Sequence, residues 1–594
     1  MKILVCIKQV PAGSVPLDGS NGTLDRKQTG GRINPWDLYA LNAGIKIKKQ
    51  TGGTVTALTM GPERAREVLE TALATGADEG ILLSDRAFAG ADVYATAYTI
   101  AQGIKAAGDF DLVICGQQTT DGDTAQLPFY LAVRLGVPGI GWVKEIVDAD
   151  TEKITLLQEL GMGTQKAEVP YPCLIAAGEG VGKPGLPTLM DQLKAKKKEI
   201  KVLTIDSLDE KDPGKYGLKA SPTRVFKISE VSSKRKTEPL IPEGNLLEII
   251  KKETENKGSE REGKTGKRLL KGVPETGNGT LSVWIQLTEN GIHPISEKVI
   301  ETALSLGRER KLKVRGIAFS EKYNEQLLKE LEETGLDEIY VAEGKNYGVF
   351  IPETMVPVIS EITEKSEIFL VPATPEGRTV SSMVAAKLGT GVTADCTELS
   401  FNEEGLLVQT RPAFSGNVMA SILTRDKRPE MASLRFGQEK PQIGGAGRII
   451  KTEKETTDIS SPYRAEIMER AETGGETGNI ILAVGGGVKK EEDLIYFRKI
   501  SDLLGAEFCS SRALVDRGWM PKKTQIGLSG RSVSPDILIT LGVSGSLQFM
   551  AGLENPGRII AVNEDPDAPI MKNADRAFLC DIYKLALEVK NGNL

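Results

Sequence analysis

The chain has 594 residues, which at roughly 150 residues per domain is enough for several domains with buried cores. Its 75 lysines and arginines against 81 aspartates and glutamates give a formal charge of −6, which argues against nucleic acid as a partner. The single histidine, His293, excludes a His-rich metal site and is the one candidate for histidine acid–base catalysis. Because it follows a polar turn and precedes Pro294, we interpret it as a loop residue.

The cysteines and the apolar runs restrict the class of protein further. None of the six cysteines lies within metal-ligand or redox-motif spacing of another, so we predict no metal and no iron–sulfur cluster. Residues 1–8 are too short for a signal-peptide core, and no apolar run reaches the roughly 18 residues that a membrane helix needs. We expect a soluble, cytoplasmic protein that is not itself a membrane protein.

The first 140 residues alternate predicted strands and helices. Such alternation indicates a parallel sheet covered on both faces. The apolar runs predict strands over 3–7, 55–60, 81–83 and 112–115. Capping residues, prolines and glycines predict helices that begin at Asn34-Pro35 and at Gly61-Pro62, and further helices over 92–107 and 124–135. A polar loop over 116–123 precedes the last helix.

The same pattern recurs in the second half of the chain. Residues 76–81 resemble 335–340, and residues 131–136 resemble 384–389, in the same order and at nearly the same spacing. Two copies of one α/β unit indicate a duplication or two related subunits joined end to end. A third unit follows, with strands predicted over 480–484, 537–541 and 559–563 and a helix over 491–504.

Charged, glycine-containing stretches without apolar periodicity predict linkers. We predict an α/β protein of three parallel-sheet, Rossmann-like or flavodoxin-like units, of which the first two are related and the third binds a cofactor. The predicted organisation is a unit over 1–205, an arm and charged linker over 206–279, a unit over 280–450, a linker over 451–478 and a unit over 479–594.

Polar residues stand at the predicted strand ends, where open parallel sheets bind ligands. In the third unit these are the glycines 485–487, which suit a phosphate or a plain tight turn, and the segment 544–546, Asn563 and Asp581. Arg512 and the segment 525–531 add guanidiniums and hydroxyls, which suit a redox cofactor or are solvated loop residues. Their convergence predicts a large phosphorylated ligand.

In the first unit, residues 34–37 and 116–124 stand at comparable strand ends. They could hold an adenine nucleotide, although residues 121–124 equally suit a helix cap. The lysine-rich run 194–198 is more often a solvated face.

At these residues the sequence resembles the electron-transfer flavoproteins. Residues 1 to about 240 resemble the small (beta) subunit, and residues from about 280 onward resemble the large (alpha) subunit, so the chain resembles both subunits fused with the small one first. The stretches that carry the small-subunit resemblance are 5–11, 33–37, 72–78 and 121–124. Those that carry the large-subunit resemblance are 393–397, 428–432, 511–516, 542–545 and 565–570.

The resemblance implies a redox carrier rather than an enzyme that converts a substrate. Such a carrier passes electrons from flavin dehydrogenases of fatty acid β-oxidation to an acceptor, often a membrane quinone reductase, through FAD in the third unit. The implied FAD contacts are Gly486, Ser511, Arg512, Gln525, Ile526, Gly527, Leu528, Ser529, Ser544, Gly545, Ser546, Leu547, Gln548, Phe549, Asn563 and Asp581. Arg512 would lie against the isoalloxazine, and Ser529 would offer its hydroxyl near the flavin N5.

The resemblance also implies a second nucleotide site and a docking loop. The nucleotide would be AMP or a second FAD, and its implied contacts are Cys6, Asn34, Pro35, Trp36, Asp37, Met60, Gly116, Asp121, Gly122, Asp123, Thr124 and Gln126. Leu189 and Lys194 to Lys198 match the loop by which the family docks its dehydrogenases, and an apolar anchor beside basic residues suits a transient encounter.

The chain departs from the family pattern at two positions. Relatives usually carry an arginine in the middle of the segment 485–487 and a histidine at the position of Phe549. Phenylalanine cannot donate a hydrogen bond to the charge that collects on reduced flavin, so we expect a lowered flavin potential.

Two alternatives to the simple carrier remain. One is an electron-bifurcating protein with two FAD, which oxidises NADH and supplies a ferredoxin-type acceptor as well as one of high potential. Residues 22–26 and 121–126 favour it, whereas residues 127–129 and Phe549 do not. The other is a nucleotide-binding regulatory protein without flavin, because fold alone does not establish function.

Overall fold

The structure is a computed structural model. It describes residues 1–12, 17–18, 23–24, 30–181, 185, 187–230, 239–255, 279–413, 418–435, 447–451, 460–470, 480–527, 530–531, 533, 535–550, 552–553 and 556–590. Each helix among these residues is either too short or too polar to span a bilayer.

The N-terminal part, residues 1–255, alternates strands and helices before it ends in an arm. Its elements in chain order are β1 (Lys2–Cys6), β2 (Gln9–Pro11), β3 (Leu17–Asp18), β4 (Thr23–Leu24), β5 (Gly31–Ile33), α1 (Pro35–Thr51), β6 (Thr54–Met60), α2 (Arg66–Thr75), β7 (Glu79–Leu83), α3 (Val93–Ala107), β8 (Leu112–Gly116), α4 (Leu127–Leu135), β9 (Gly139–Ala149), β10 (Lys153–Leu160), β11 (Gly163–Pro170), β12 (Cys173–Ala177), α5 (Leu189–Ala195), β13 (Ile200–Leu203), α6 (Gly217–Ala220), β14 (Thr223–Glu230) and α7 (Leu246–Glu255).

The middle part, residues 279–470, repeats the alternation. Its elements are β15 (Thr280–Ile285), β16 (Leu287–Thr288), β17 (Gly291–Ile292), α8 (Pro294–Arg310), β18 (Lys313–Ser320), α9 (Glu325–Glu332), β19 (Glu338–Glu343), α10 (Pro352–Thr363), β20 (Ile368–Pro372), α11 (Pro375–Leu388), β21 (Val392–Cys396), β22 (Glu398–Phe401), β23 (Leu407–Ala413), β24 (Val418–Thr424), β25 (Glu430–Leu434), β26 (Arg448–Lys451) and β27 (Arg464–Arg470).

The C-terminal part, residues 480–590, is the smallest. Its elements are β28 (Ile480–Val484), α12 (Leu494–Leu503), β29 (Glu507–Ser510), α13 (Arg512–Asp516), β30 (Ile537–Leu541), α14 (Leu547–Met550), β31 (Arg558–Asn563), α15 (Pro569–Asn573), β32 (Arg576–Leu579) and α16 (Tyr583–Lys590).

Most strand pairs are parallel, as the sequence predicts for an α/β protein. A ten-stranded sheet has the order β13-β7-β6-β1-β8-β12-β9-β10-β11-β27 and is parallel from β13 to β9. A seven-stranded sheet, β21-β25-β20-β15-β18-β19-β26, and a five-stranded sheet, β29-β28-β30-β31-β32, are parallel throughout. Central strands such as β8 and β20 are buried along their whole length, which explains their unbroken apolar sequences.

The N-terminal and middle parts exchange strands. β27 pairs with β11 and so extends the ten-stranded sheet, while β14 pairs with β24 in a four-stranded antiparallel sheet. The predicted linker over 451–478 is therefore wrong for β27, whose alternating polar sequence gives no sign of a partner that lies some 300 positions away in the chain. Between the same parts, the Gln165 amide donates to Phe350 O at 2.9 Å and accepts from Phe350 N at 2.8 Å.

The arm, residues 239–255, packs against the C-terminal part. Leu240 N donates to Ala577 O at 2.8 Å, and the amides of Leu246 and Leu247 both donate to the Glu588 carboxylate at 2.9 Å. Leu246, Leu247 and Ile250 are buried in the core of that part. The charged stretch from residue 251 is thus no linker at its start, because it continues a helix; residues 256–278 lie outside the described residues.

One local expectation is corrected, and His293 lies outside the helices and strands, as interpreted from the sequence. Helix α4 begins at Leu127 rather than at residue 124, because Ala125 has a φ of 51° that an α-helix does not admit. His293 is the N-cap of α8, where its Nδ1 accepts a hydrogen bond from Ile295 N at 3.1 Å. Burial lowers the His293 pKa to about 4, so the ring is a neutral acceptor at physiological pH.

Candidate functional site

All three parts of the chain line one cavity of about 250 Å³, called here the first cavity. The N-terminal part contributes Trp36, Gln118, Thr120 and Asp123, and the middle part contributes Arg378 and Asp395. The C-terminal part contributes Ser511, Arg512, Ala513, Gln525, Ile526, Gly527, Val543, Ser544, Ser546, Gln548 and Phe549. Ser511 directly follows β29, and Ser544 and Ser546 follow β30, so the cavity lies where parallel strands end.

Asn563, Asp581 and Gly545, also predicted as FAD contacts, are not among the residues that line this cavity. Asn563 donates from Nδ2 to Val543 O at 2.9 Å, and Asp581 accepts from Tyr583 N at 2.9 Å. Gly545 has a φ of 71° and approaches Ile570 closely. Leu528 and Ser529 lie outside the described residues, as does the side chain of Leu547.

The glycines 485–487 make a tight turn between two strand ends. Gly485 N and Gly487 N donate to Leu541 O and Gly542 O, both at 3.0 Å, so these two amides are used within the protein. A Cβ at Gly485 would lie 2.4 Å from Gly542 O, whereas one at Gly486 would meet only the Ala513 Cβ at 3.7 Å. Close approach of two turns therefore requires the first glycine, and Gly486 is not among the residues that line the first cavity.

Arg512 is the exposed cation of the first cavity. Its side chain is 55% exposed; Nε lies 3.2 Å from Asp516 Oδ2, and Nη2 lies 3.7 Å from Oε1 of Glu179 in the N-terminal part. These contacts are weak enough for the guanidinium to turn toward a stronger negative charge. The other guanidinium noted in the sequence, that of Arg531, pairs with both oxygens of Glu507.

A buried ion pair forms the wall of the first cavity in the middle part. Arg378 Nη2 lies 2.9 Å from Asp395 Oδ2, and the two side chains are 12% and 4% exposed. Among the described residues, no hydrogen-bond partner meets Arg378 Nε or Asp395 Oδ1. Buried polar atoms are normally paired, so this wall still has a donor and an acceptor for a bound molecule. Neither residue was singled out from the sequence, although residues 393–397 carry part of the family resemblance.

A second cavity of about 970 Å³ lies within the N-terminal part. The predicted nucleotide contacts that line it are Cys6, Asp37, Met60, Gly116, Thr124 and Gln126. Trp36 and Asp123 line the first cavity instead, and Gln118 lines both. Asn34, Pro35, Asp121 and Gly122 line neither. The wall between Ser84 and Thr96, which includes Arg86 and Asp92, was not predicted, because it lies outside the strand ends that carry the family motif.

Supporting hydrogen bonds fix the wall between the two cavities. Asn34 donates from Nδ2 to Asp37 Oδ1 and to Gln118 O, both at 2.9 Å, and Lys8 N donates to Asp37 Oδ2 at 2.7 Å. Lys8 Nζ lies 2.8 Å from both carboxylate oxygens of Asp121. Burial raises the Asp37 pKa to about 7 despite these donors. A Cβ at Gly116 would lie 2.3 Å from Asp37 Oδ1, so the strand end must be glycine.

The first cavity suits a planar redox cofactor such as FAD. Trp36 and Phe549 form aromatic walls, and the serines and Gln548 supply hydrogen-bonding groups. Arg378 Nε and Asp395 Oδ1, which have no partner among the described residues, could hydrogen-bond to the cofactor. No cluster of three or more metal-ligating side chains exists in the described residues.

Comparison with known families agrees with this geometry. The model "Electron transfer flavoprotein domain" matches residues 21–208 and again residues 282–460, and the model "Electron transfer flavoprotein FAD-binding domain" matches residues 476–554. The chain belongs to the electron transfer flavoprotein family. The double match of one domain model agrees with the internal repeat seen in the sequence.

Individual relatives match one or the other half of the chain. An electron transfer flavoprotein subunit beta from Thermoanaerobacterium thermosaccharolyticum is 41% identical over 252 residues, 42% of this chain and 95% of that protein. The subunit alpha of the same organism is 39% identical over 269 residues, 44% of this chain and 82% of that protein. Lactate dehydrogenase (NAD(+),ferredoxin) subunit LctC from Acetobacterium woodii is 34% identical over 327 residues, 52% of this chain and 75% of that protein. The chain is thus a beta–alpha fusion with an FAD-binding domain.

Proposed function

We propose that this electron transfer flavoprotein carries electrons through an FAD held at the first cavity, from dehydrogenases of the acyl-CoA dehydrogenase type to a quinone reductase or similar acceptor. The observation that carries the proposal is the first cavity itself, which strand ends of the C-terminal part line together with residues of the other two parts. FAD supplies the redox chemistry when bound. The described lining residues include no paired nucleophile and base, which fits a carrier rather than an enzyme acting on a substrate.

The residues of the first cavity hold and tune the cofactor. Arg512 stands free enough to turn from Glu179 and Asp516 toward the negative charge that a reduced flavin gains, and stabilises it. Trp36 and Phe549 exclude water from the ring system, which strengthens each electrostatic contact inside the cavity. Ser529 stays the proposed hydroxyl donor near N5.

The second cavity is the proposed adenine-nucleotide site, occupied by AMP or a second FAD. Its volume of about 970 Å³ leaves room for either ligand. Cys6, Met60 and Gly116 would pack against the nucleotide, while Thr124 and Gln126 offer it hydrogen bonds.

The second candidate function is electron bifurcation with two FAD and NADH as donor. Gln118 favours it, because this residue lines both cavities and would lie between two bound cofactors. The name of the relative LctC, a subunit of a lactate dehydrogenase (NAD(+),ferredoxin), supports the same function. Phe549 and residues 127–129 still stand against it.

Helix α5 and the lysines after it are the proposed docking surface for the dehydrogenase. Leu189 and Met190 are 72% and 62% exposed, and Lys194, Lys196 and Lys197 are exposed beside them. Leu189→Ala should slow electron transfer from an acyl-CoA dehydrogenase, because exposed apolar anchors surrounded by charge dominate such encounters. The matched control Leu587→Ala, which alters an exposed leucine of the C-terminal part, should leave the rate unchanged.

Counting released cofactors tests the whole proposal. The purified chain is denatured, and FAD and AMP are separated and quantified per chain. One FAD with one AMP supports the simple carrier, and two FAD support bifurcation. A colourless protein, prepared with riboflavin in excess, would contradict both and leave the flavin-free regulatory protein.

A further inference from the structure

Asp123 occupies a fixed and unusual place in the loop between β8 and α4. Its φ is 50° and that of Ala125 is 51°, a left-handed conformation that L side chains rarely adopt. Asp123 N donates to Thr119 O at 2.9 Å, and Asp123 O accepts from Arg411 Nη2 at 3.4 Å. The backbone is thereby held so that the carboxyl lines the first cavity.

Four charged groups face this carboxyl from three elements and its own loop. Arg378 on α11 is paired with Asp395 on β21 at 2.9 Å, and Asp121 in the same loop is paired with Lys8 at 2.8 Å. Arg411 on β23 donates from Nε to Pro412 O at 3.1 Å. Arg512 also lines the cavity but pairs with Asp516 and Glu179. Each of these arginines already makes contacts within the protein, although Arg378 Nε has no partner among the described residues and Arg512 is held only weakly.

The protonation of Asp123 is balanced near physiological pH. Burial raises its pKa to about 6; Arg411 and Arg378 lower it, while Asp395 and Asp121 raise it further. At neutral pH the group is mostly ionised. A new negative charge in the same cavity disfavours the carboxylate, because like charges in a partly dry site repel strongly.

We propose that the Asp123 carboxylate takes up one proton from solvent when the FAD of the first cavity accepts an electron, and releases it when the electron leaves. This rests on the proposed function, because it requires the flavin to lie in that cavity. One electron passes from the reduced flavin of a partner dehydrogenase to the FAD, and one proton passes from water to a carboxylate oxygen of Asp123. The electron's charge is thus compensated on the protein.

The coupling is reciprocal, so it must make the flavin potential depend on pH. Between the Asp123 pKa with oxidised flavin and its higher value with reduced flavin, the potential for the first electron falls as pH rises. The slope approaches 59 mV per pH unit, which corresponds to one proton per electron and a tenfold change in proton concentration. Outside that window Asp123 contributes no slope.

The test compares the FAD-loaded wild type with Asp123→Asn between pH 5.5 and 8.5. Asparagine keeps the size of the side chain and is among the few residues that tolerate the left-handed conformation, so the loop should persist. Spectroelectrochemical titration measures the potential for the first electron, and an indicator dye measures proton uptake on anaerobic photoreduction that is stopped at one electron per FAD. The wild type should show the slope and the uptake, and D123N should lose both.

The matched control is Asp206→Asn, which removes one exposed carboxylate that lines neither cavity and should retain the wild-type slope. Should D123N fail to bind FAD, wild-type protein labelled with ¹³C in its aspartate carboxyls gives a second measurement. A label-sensitive carboxylic C=O band must then appear on reduction in the infrared difference spectrum.

The outcomes separate this inference from the function on which it rests. A wild type that binds FAD but shows no slope, a D123N variant with the wild-type slope, or a missing carboxylic band overturns the role of Asp123 alone. A chain that takes up no FAD overturns the proposed function itself.

Discussion

Arg512 Nη2 lies 3.7 Å from Glu179 Oε1, and this ion pair joins the C-terminal part to the N-terminal part beside the first cavity. A second exposed pair, Lys522 with Glu159 at 3.8 Å, joins the same parts. Arg435 of the middle part adds a buried hydrogen bond from Nη2 to Gly527 O at 3.2 Å. These three polar contacts contribute to the orientation of the C-terminal part beside the first cavity.

Glu179→Gln should loosen the orientation of the C-terminal part without unfolding it. The pair is exposed, so its loss should change the free energy of unfolding by less than about 1 kcal/mol. We expect a broader distance distribution between labels on the two parts, and faster electron exchange with a dehydrogenase. Glu63→Gln, which breaks an exposed ion pair with Arg66 inside the N-terminal part, is the control. An unchanged distance distribution in E179Q would contradict the role assigned to the pair.

Phe549→His should raise the flavin potential. Phe549 is buried and lines the first cavity, where an imidazole could donate a hydrogen bond to the charge on reduced flavin. A hydrogen bond to a charged group is worth about 1.5–3 kcal/mol, which corresponds to an upward shift of about 60 mV or more in a one-electron potential. Phe549→Leu should leave the potential nearly unchanged. Redox titration of both variants decides the matter, and no rise in F549H would refute the idea.

Arg378→Met should destabilise the protein severely. The substitution leaves the Asp395 carboxylate buried without its cation, which costs about 3–5 kcal/mol. The double variant Arg378→Met with Asp395→Asn removes both charges and should recover much of the loss, because asparagine tolerates the φ of 57° at this position. Chemical denaturation of the single and double variants measures the difference. If the loss of unfolding free energy in the double variant equalled the sum of the losses in the two single variants, the broken ion pair would not be the cause of the destabilisation.

Because of Glu353, the free energy of unfolding should decrease as pH rises from about 4.5 to 7. It accepts from Gly139 N at 2.9 Å, and burial raises its pKa from 4.5 to about 7. The folded chain therefore binds more protons than the unfolded chain between these values, so the stabilising contribution is complete below about pH 4.5 and is lost as pH rises through 7. Relative to Glu353→Gln, the free energy of unfolding of the wild type should fall by about 3 kcal/mol across this pH window. Denaturation at pH 5 and pH 8 measures it, and parallel pH profiles would contradict it.

The glycines 485–487 should differ in their tolerance of substitution. Gly485→Ala places a Cβ 2.4 Å from Gly542 O and must push apart the turns after β28 and β30, so FAD content should fall sharply. Gly486→Ala meets only the Ala513 Cβ at 3.7 Å and should keep its FAD. The FAD-to-protein absorbance ratio compares the two variants. Equal FAD retention would show that the turn does not position the cofactor site.

The sequence predicts best those elements whose burial is visible locally. Strands Ile480–Val484 and Ile537–Leu541 have the predicted bounds, because fully buried parallel strands are continuous apolar runs. Strand β27 was missed because its partner is remote in sequence, and α7 because its charged end hid the apolar face that packs on the C-terminal part.

In the two proposed nucleotide sites, the sequence likewise did not predict how the side chains are arranged in space. Family motifs identified the segments but not their orientation: the consecutive residues Trp36 and Asp37 line different cavities, because the turn at the start of α1 sends their side chains to opposite sides. Arg378 and Asp395 come together only through the packing of α11 against β21, which no local pattern reveals.

Because the N-terminal and middle parts exchange strands β14 and β27, their association does not depend on the covalent connection between them. Each of these two parts adds a strand to a sheet of the other, so their separation would break two ladders of backbone hydrogen bonds at once. A single protease cut between residues 255 and 279 should therefore yield two polypeptides that remain associated and migrate as one complex.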